Sequence, residues 1–197
     1  IVSSRKIINK RKKILKTKNE IKFLNSFANQ KRDRTTAKII AITGSAGKTS
    51  LKNLIKDLLQ KFGNTHCSPK SYNNRYGVPI SLSQLKTNHM FGVFEVGMSK
   101  AGEINKLSKI IRPHIGIITN IGEAHIENFK NIHGIAKAKS EIIENIIPQG
   151  TIILNRDDKF FYFLSKKAKA FGIKISTFGV NKKSDICLKK IVKKGNT

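Results

Sequence analysis

The sequence predicts an α/β fold, a mostly parallel sheet with helices on both faces, built around a P-loop-type nucleotide-binding loop. Short apolar runs alternate with helical stretches along the chain. The first run passes straight into Thr43-Gly44-Ser45-Ala46-Gly47-Lys48-Thr49-Ser50 and then into an amphipathic helix. Two later runs, at 91–96 and 115–121, carry polar residues near their ends, Glu95 and Thr119-Asn120, which a parallel sheet would collect along one edge.

The opening residues mix Ile and Val with many Lys and Arg and hold neither the continuous apolar stretch nor the small-residue cleavage site of a secretory signal. No apolar run approaches the roughly 18 residues of a membrane span. A cytoplasmic, monomeric protein with no membrane partner is expected. Thr17 and Glu20 stand at capping-box spacing before Ile21, Leu24, Phe27 and Ala28, which share one helical face. Residues 31–36 are polar and charged and read as a linker, so the domain boundary is placed there, with 1–36 an appendage and 37–197 the main domain.

From Lys38 the character changes to a buried strand, Ile39-Ile40-Ala41-Ile42. Leu51, Leu54, Ile55, Leu58, Leu59 and Phe62 then fit the 3.6-residue period of a helix that Gly63 closes. Strands follow at 91–96, 115–121 and 151–154, separated by helices at 101–111 and 134–147. The tail, 174–180 and 186–192, reads as added strands with an antiparallel arrangement open.

Lys and Arg number 39 against 12 Asp and Glu, a formal charge of +27, and a nucleic-acid-binding module is the non-enzyme alternative this raises. The lysines are spread over helices and loops alike and no aromatic-interleaved basic motif occurs, so a generally basic solvated surface and no nucleic-acid partner are expected. Cys67 and Cys187 lack CxxC or Cys/His spacing and read as free thiols.

The loop from Thr43 to Ser50 carries the sharpest chemistry. Glycines let successive backbone N–H groups face a phosphate, the helix N-terminus adds positive potential, Lys48 can reach terminal phosphates and Thr49 offers a hydroxyl to magnesium. Ile42 stands where a strict P-loop has its first glycine, and an accidental glycine turn is the alternative that placement between strand and helix argues against. Glu95 ends an apolar strand at the edge where open α/β sheets place ligands, and Ser99 suits the cap of the following helix. His125 arrives on the loop after 115–121; alone it reads as a solvated loop histidine, and beside Glu95 as a metal ligand. Lys139 falls on the inward stripe of Ile135, Ala138, Ile142, Ile143 and Ile146, whereas Lys137 lies off it. Snorkelling along its stem is the ordinary explanation of such a lysine.

Together with that loop, Ser71-Tyr72-Asn73-Asn74-Arg75-Tyr76-Gly77-Val78-Pro79, Glu95-Val96-Gly97-Met98-Ser99 with Gly102-Glu103-Ile104, the segment Thr119-Asn120-Ile121-Gly122-Glu123-Ala124-His125, and Gly134-Ile135-Ala136-Lys137-Ala138-Lys139-Ser140-Glu141-Ile142 resemble the Mur ligases in order and spacing. That family's loop also lacks glycine at the Ile42 position. The resemblance implies the family's central ATP-binding domain, with 1–36 a remnant of the N-terminal domain that grips UDP and the C-terminal domain absent. It points within the family toward members that join D-alanyl-D-alanine to a UDP-muramoyl tripeptide through an acyl phosphate, using ATP and Mg2+ in peptidoglycan precursor synthesis. By the same resemblance, Thr43, Gly44, Ser45, Ala46, Gly47, Lys48, Thr49 and Ser50 bind the nucleotide. Lys48, Glu95, His125 and Lys139 are catalytic; Thr49, Glu95, His125 and Lys139, the last as a carbamate, hold metal; Asn73 and Asn74 face the UDP-muramoyl substrate. It implies too that these residues by themselves do not complete the ligation. Folylpolyglutamate synthase-like enzymes and other Mur-type ligases share the loop, and a different P-loop NTPase is the enzyme alternative.

Overall fold

The computed structural model describes residues 2–3, 15–124 and 126–190. Its centre is a seven-stranded sheet in the order β4-β5-β3-β6-β7-β8-β9, with every neighbouring pair parallel. The strands are β3 (Lys38–Thr43), β4 (Thr65–Cys67), β5 (Phe91–Glu95), β6 (Ile115–Ile118), β7 (Thr151–Asn155), β8 (Lys174–Gly179) and β9 (Ile186–Cys187). Two further short strands, β1 (Val2–Ser3) and β2 (Leu15–Lys16), pair with each other in parallel.

The alternation of side chains along β3 explains the layering. Ile40 and Ile42 face one side, where with Val93 and Ile117 they receive Leu51, Ile55 and Leu59 of α2 (Lys48–Leu59). Ile39 and Ala41 face the other side and join the larger core. That core takes Ala28 from α1 (Glu20–Arg34), Val78 and Leu82 from α3 (Gly77–Ser83), and Ile104, Leu107 and Ile111 from α4 (Glu103–Ile111). Ile135 and Ala138 of α5 (Ile132–Ser140) and Phe161, Leu164 and Ala168 of α6 (Phe161–Ala170) complete it. Each fully buried Ile or Leu contributes about 1.5–3 kcal/mol of transfer free energy, so the two-faced sheet is the main source of stability. Among the described residues no helix is long and apolar enough to cross a membrane.

Two local expectations are corrected and one open alternative is decided. Thr17 does not cap α1: Asn19 is the N-cap and its Oδ1 accepts from Lys22 N at 2.9 Å, while Thr17 Oγ1 accepts from Asn19 N. The polar stretch 31–36 is no linker over most of its length, because α1 continues to Arg34. Arg32 drives this: its guanidinium is buried, donating from Nε to Ile111 O and from Nη2 to Arg112 O, both at 2.7 Å. It thereby satisfies carbonyls left free at the end of α4. Finally, β8 and β9 are parallel additions to the sheet. The residues 191 and 192 of the tail lie outside the described residues.

Candidate active site

β3 is the topological switch point of the sheet. The chain leaves it toward β5 and β4 on one side and toward β6 to β9 on the other. A crevice therefore opens at the carboxyl ends of β5, β3 and β6. Val96 N donates to Ile42 O at 2.8 Å and Thr119 N to Thr43 O at 3.0 Å, which holds the three strand ends level.

The loop after β3 is fixed by its neighbour from β6. Ser45 N donates to Asn120 O and Ala46 N to Asn120 Oδ1, both at 3.0 Å, and Thr119 Oγ1 donates to Ala46 O at 2.7 Å. Ser45 Oγ donates to Gly122 O and accepts from Gly122 N. Gly44 has φ +149°, and a Cβ there would stand 1.8 Å from Thr119 Oγ1, so only glycine fits. Gly47, with φ +78°, turns the chain into α2. The amides at the start of α2 have no intrahelical acceptor and aim along the helix axis into the crevice.

Three charged side chains converge beside this loop. Glu95 is only 1% exposed; its Oε2 accepts from Thr49 Oγ1 at 2.7 Å and its Oε1 from Asn73 Nδ2 at 2.8 Å. Lys48 Nζ and Lys139 Nζ each donate to Gly44 O at 2.9 Å. Lys139 is 2% exposed, so its inward position is real burial and not snorkelling. Burial first, and then the charge of Lys48, hold its pKa down to about 8. Lys137 is exposed, as its place off the stripe required.

A cleft of about 530 Å³ opens here, with Lys48, Asn73, Asn74, Arg75 and Lys139 in its lining. Asn74 also has a local task, its Oδ1 accepting from Tyr76 N and Gly77 N at the entry to α3. His125 lies outside the described residues. Among the described residues no group of three or more His, Cys, Asp or Glu could hold a metal ion. The donor set at Glu95, one carboxylate and one hydroxyl, is nonetheless hard oxygen and suits magnesium shared with phosphate.

Several residues that sequence reasoning missed build this frame. Lys52, one turn after Lys48, is 1% exposed and donates to Ser68 O at 2.8 Å and to Lys70 O. The expected cap at Ser99 is replaced by carboxylates. Gly102 is the N-cap of α4, Glu103 Oε2 accepts from Ser99 N and Lys100 N, and Glu141 accepts from Gly102 N and Asn105 N. Asp158 Oδ2 accepts from Ile121 N, tying the loop after β6 to the one after β7. Lys52 was detectable, since it sits between Leu51 and Ile55 on the sheet-facing side of α2. Glu141 and Asp158 bridge distant segments and leave no local signal, whereas Glu103 caps amides only three and four residues before it.

Residues 42–197 match the family model of the Mur ligase middle domain. The chain belongs to the Mur ligase family. It is 44% identical over 160 residues to the UDP-N-acetylmuramoyl-tripeptide–D-alanyl-D-alanine ligase of Buchnera aphidicola from Acyrthosiphon pisum, covering 81% of this chain and 35% of that protein. It is 37% identical over 185 residues to the ligase of the same name from Rickettsia prowazekii, covering 93% and 41%. The crystal structure of MurF from Acinetobacter baumannii superposes with a TM-score of 0.82 at 34% identity, over 91% of this chain and 39% of that one. MurF ligase from Thermotoga maritima, solved in complex with ADP, gives a TM-score of 0.79 at 26% identity, over 91% and 41%. The chain thus spans little more than a third of the length of these Mur ligases.

Proposed function

We propose that this chain is the nucleotide-binding portion of an ATP-dependent amide ligase of cytoplasmic peptidoglycan precursor synthesis, which joins D-alanyl-D-alanine to a UDP-muramoyl tripeptide. On this reading residues 37–197 are the central ATP-binding domain and residues 1–36 belong to the UDP-binding side. The observation that carries it is the meeting of the glycine loop, Glu95 and Lys139 at one switch point, in a chain 44% identical to a ligase of that name.

The tripeptide carboxylate attacks the terminal phosphorus of ATP, ADP leaves, and the dipeptide amine then attacks the acyl phosphate carbon and releases phosphate. Little covalent work falls to the protein in phosphoryl transfer, so positioning and charge stabilisation dominate. Lys48 and the first amides of α2 hold the phosphates. Thr49 and Glu95 would hold one magnesium ion, and Asn73 fixes the second oxygen of Glu95. His125 and Lys139 would hold another. Bound magnesium neutralises charge on the phosphoryl oxygens.

Lys139 reaches that task as a carbamate. Carbon dioxide adds to a neutral amine, and a lysine with a pKa of about 8 presents that form at neutral pH far more than an exposed one. The carbamate replaces a poorly placed cation with an anionic oxygen donor.

The test is to fuse these residues to the flanking domains of the 44% identical relative. Incubated with ATP, magnesium, UDP-muramoyl tripeptide and D-alanyl-D-alanine, the fusion is expected to yield the pentapeptide by mass spectrometry, with one phosphate released per amide. Phosphate release that ignores both substrates would point instead to a plain NTPase.

A further inference from the structure

Residues 119–122 form the wall against which the phosphate loop is set. Thr119 Oγ1 donates to Ala46 O, and Asn120 receives Ser45 N on its carbonyl and Ala46 N on its Oδ1. Gly122 exchanges two hydrogen bonds with Ser45 Oγ. These bonds place the loop relative to 119–122, and other contacts must place 119–122 itself. On the upstream side β6 does so, ending at Ile118. Beyond it the backbone has left the ladder, and Ile121 N turns the other way, donating to Asp158 Oδ2 at 2.7 Å. That acceptor is 37 residues away in sequence, on the loop after β7.

Asp158 also does the ordinary work of a residue before a helix. Its Oδ1 accepts from Phe160 N at 2.8 Å and its carbonyl from Phe161 N, the usual way a short polar side chain opens a helix. One acceptor oxygen suffices for that, and asparagine or serine would supply it. The second oxygen, on Ile121 N, has no part in α6. It makes a charge-assisted bond, roughly twice as strong as a neutral one. Asp157 spends its oxygens in the opposite direction, on Val180 N and Asn181 N beyond β8. The two adjacent carboxylates thus serve opposite neighbours, and the one that leads back to the phosphate loop is Asp158.

We propose that Asp158 is a positioning residue for nucleotide binding. Through Ile121 and Gly122 it holds Ser45, and with Ser45 the phosphate loop, in the shape that converges its amides on phosphate. The inference rests on the ligase reading above, in which that loop binds ATP. Two glycines, Gly44 and Gly47, leave the loop little shape of its own, so its shape is imposed by the wall. Amides aimed at an anion weaken steeply when misaligned, so a small displacement of the wall is felt at the phosphates.

The experiment compares Asp158→Asn with Asp157→Asn in the 197-residue chain. Asparagine at 158 keeps an acceptor for Phe160 N and sets an amide donor where Ile121 N needs an acceptor. Asp158→Ser likewise keeps the helix start and drops the long bond, so it gives the same comparison should the first variant fold poorly. Asp157→Asn removes one similar bond on the β8 side. In calorimetry MgATP affinity is expected to fall about fivefold in Asp158→Asn and to stay within about twofold of wild type in Asp157→Asn. Amide chemical shifts carry a signature that a general loss of stability would not give. Ser45, Ala46 and Gly122 should move in Asp158→Asn before any nucleotide is added, and hold their places in Asp157→Asn. In wild type the Ile121 amide should exchange with solvent at least about tenfold more slowly than an unbonded amide. Equal MgATP affinity in Asp158→Asn and wild type, unmoved Ser45 and Gly122 amides, fast exchange at Ile121, or an equal loss in Asp157→Asn each overturn the proposal. A folded wild type that binds no MgATP removes the ligase reading beneath it, whereas wild-type binding that Asp158→Asn matches refutes the positioning role alone.

Discussion

Lys48 and Lys139 come from different helices and donate to one and the same acceptor, the carbonyl oxygen of Gly44, each at 2.9 Å. Two cations on one oxygen repel, and the buried one yields. Lys139 is therefore expected to titrate near 8, well below the ordinary 10.5, and Lys48→Ala should move its midpoint upward because one of its two depressing causes is gone. Carbon-detected NMR of the lysine side chains reads both midpoints. A Lys139 that titrates with the exposed lysines would refute the coupling.

The same shift fixes a pH dependence of stability. The folded pKa of Lys139 lies below its unfolded value, so between about 8 and 10.5 the unfolded chain binds more protons and the contribution of this group to stability rises with pH. Below about 8 its destabilising effect is fully present, on the order of 3 kcal/mol at most. Lys139→Met should accordingly be the more stable protein at pH 7, with the advantage shrinking by pH 10. Urea midpoints at the two pH values decide it, and an equal gap at both would count against the assignment.

Nucleotide binding is expected to depend on Lys48 and on magnesium. Calorimetry should show Lys48→Ala binding MgATP at least about tenfold more weakly, the loss of one charge-assisted contact to phosphate. Equal binding by the two proteins would show that the loop after β3 is not the phosphate cradle.

Gly44→Ala tests the loop's backbone. The added methyl would meet Thr119 Oγ1 at 1.8 Å and Thr119 Cβ at 3.0 Å, at a φ of +149° that side chains rarely adopt. A loss of about 2–4 kcal/mol is expected. Thr119→Ala in the same chain should restore only part of it, since the backbone strain stays. Full recovery would mean that the hydroxyl contact was the whole effect.

What the sequence made legible was what is local. The phosphate loop is a contiguous motif between an apolar strand and an amphipathic helix, and Lys139 follows from the stripe of its own helix. The errors came where distant segments decide. The polar residues 31–36 look like a linker until Arg32 is seen covering the end of α4. The direction of β8 is not legible in the sequence because it depends on α6, whose stripe of Phe161, Leu164 and Ala168 is interrupted by lysines. Without a crossover helix consecutive strands pair as a hairpin; with one they must run parallel. α3 is similarly hidden, since glycine and proline are poor helix formers, although a short helix tolerates proline such as Pro79 in its first turn.

Lys52 should link stability to nucleotide binding, although it has no place in the phosphate loop itself. Its ammonium holds the carbonyls of Ser68 and Lys70, and this segment supports Glu95 twice. Ser68 Oγ accepts from Glu95 N at 3.2 Å, and five residues on from Ser68, Asn73 Nδ2 donates to Glu95 Oε1 at 2.8 Å. Lys52→Met fills the volume but leaves buried carbonyls without a donor, a loss of about 2 kcal/mol or more. Released from α2, the segment would hold Asn73 and hence Glu95 less firmly. MgATP affinity should then fall about fivefold in calorimetry run well below the melting point, a cost of about 1 kcal/mol. Asn73→Ala serves as the comparison, because it removes the final contact and leaves the Lys52 anchor in place. It is expected to reproduce the binding loss with a much smaller loss of stability. If Lys52→Met destabilises the chain and yet binds MgATP like the wild type, the anchor is structural only and Glu95 owes its position to β5 alone.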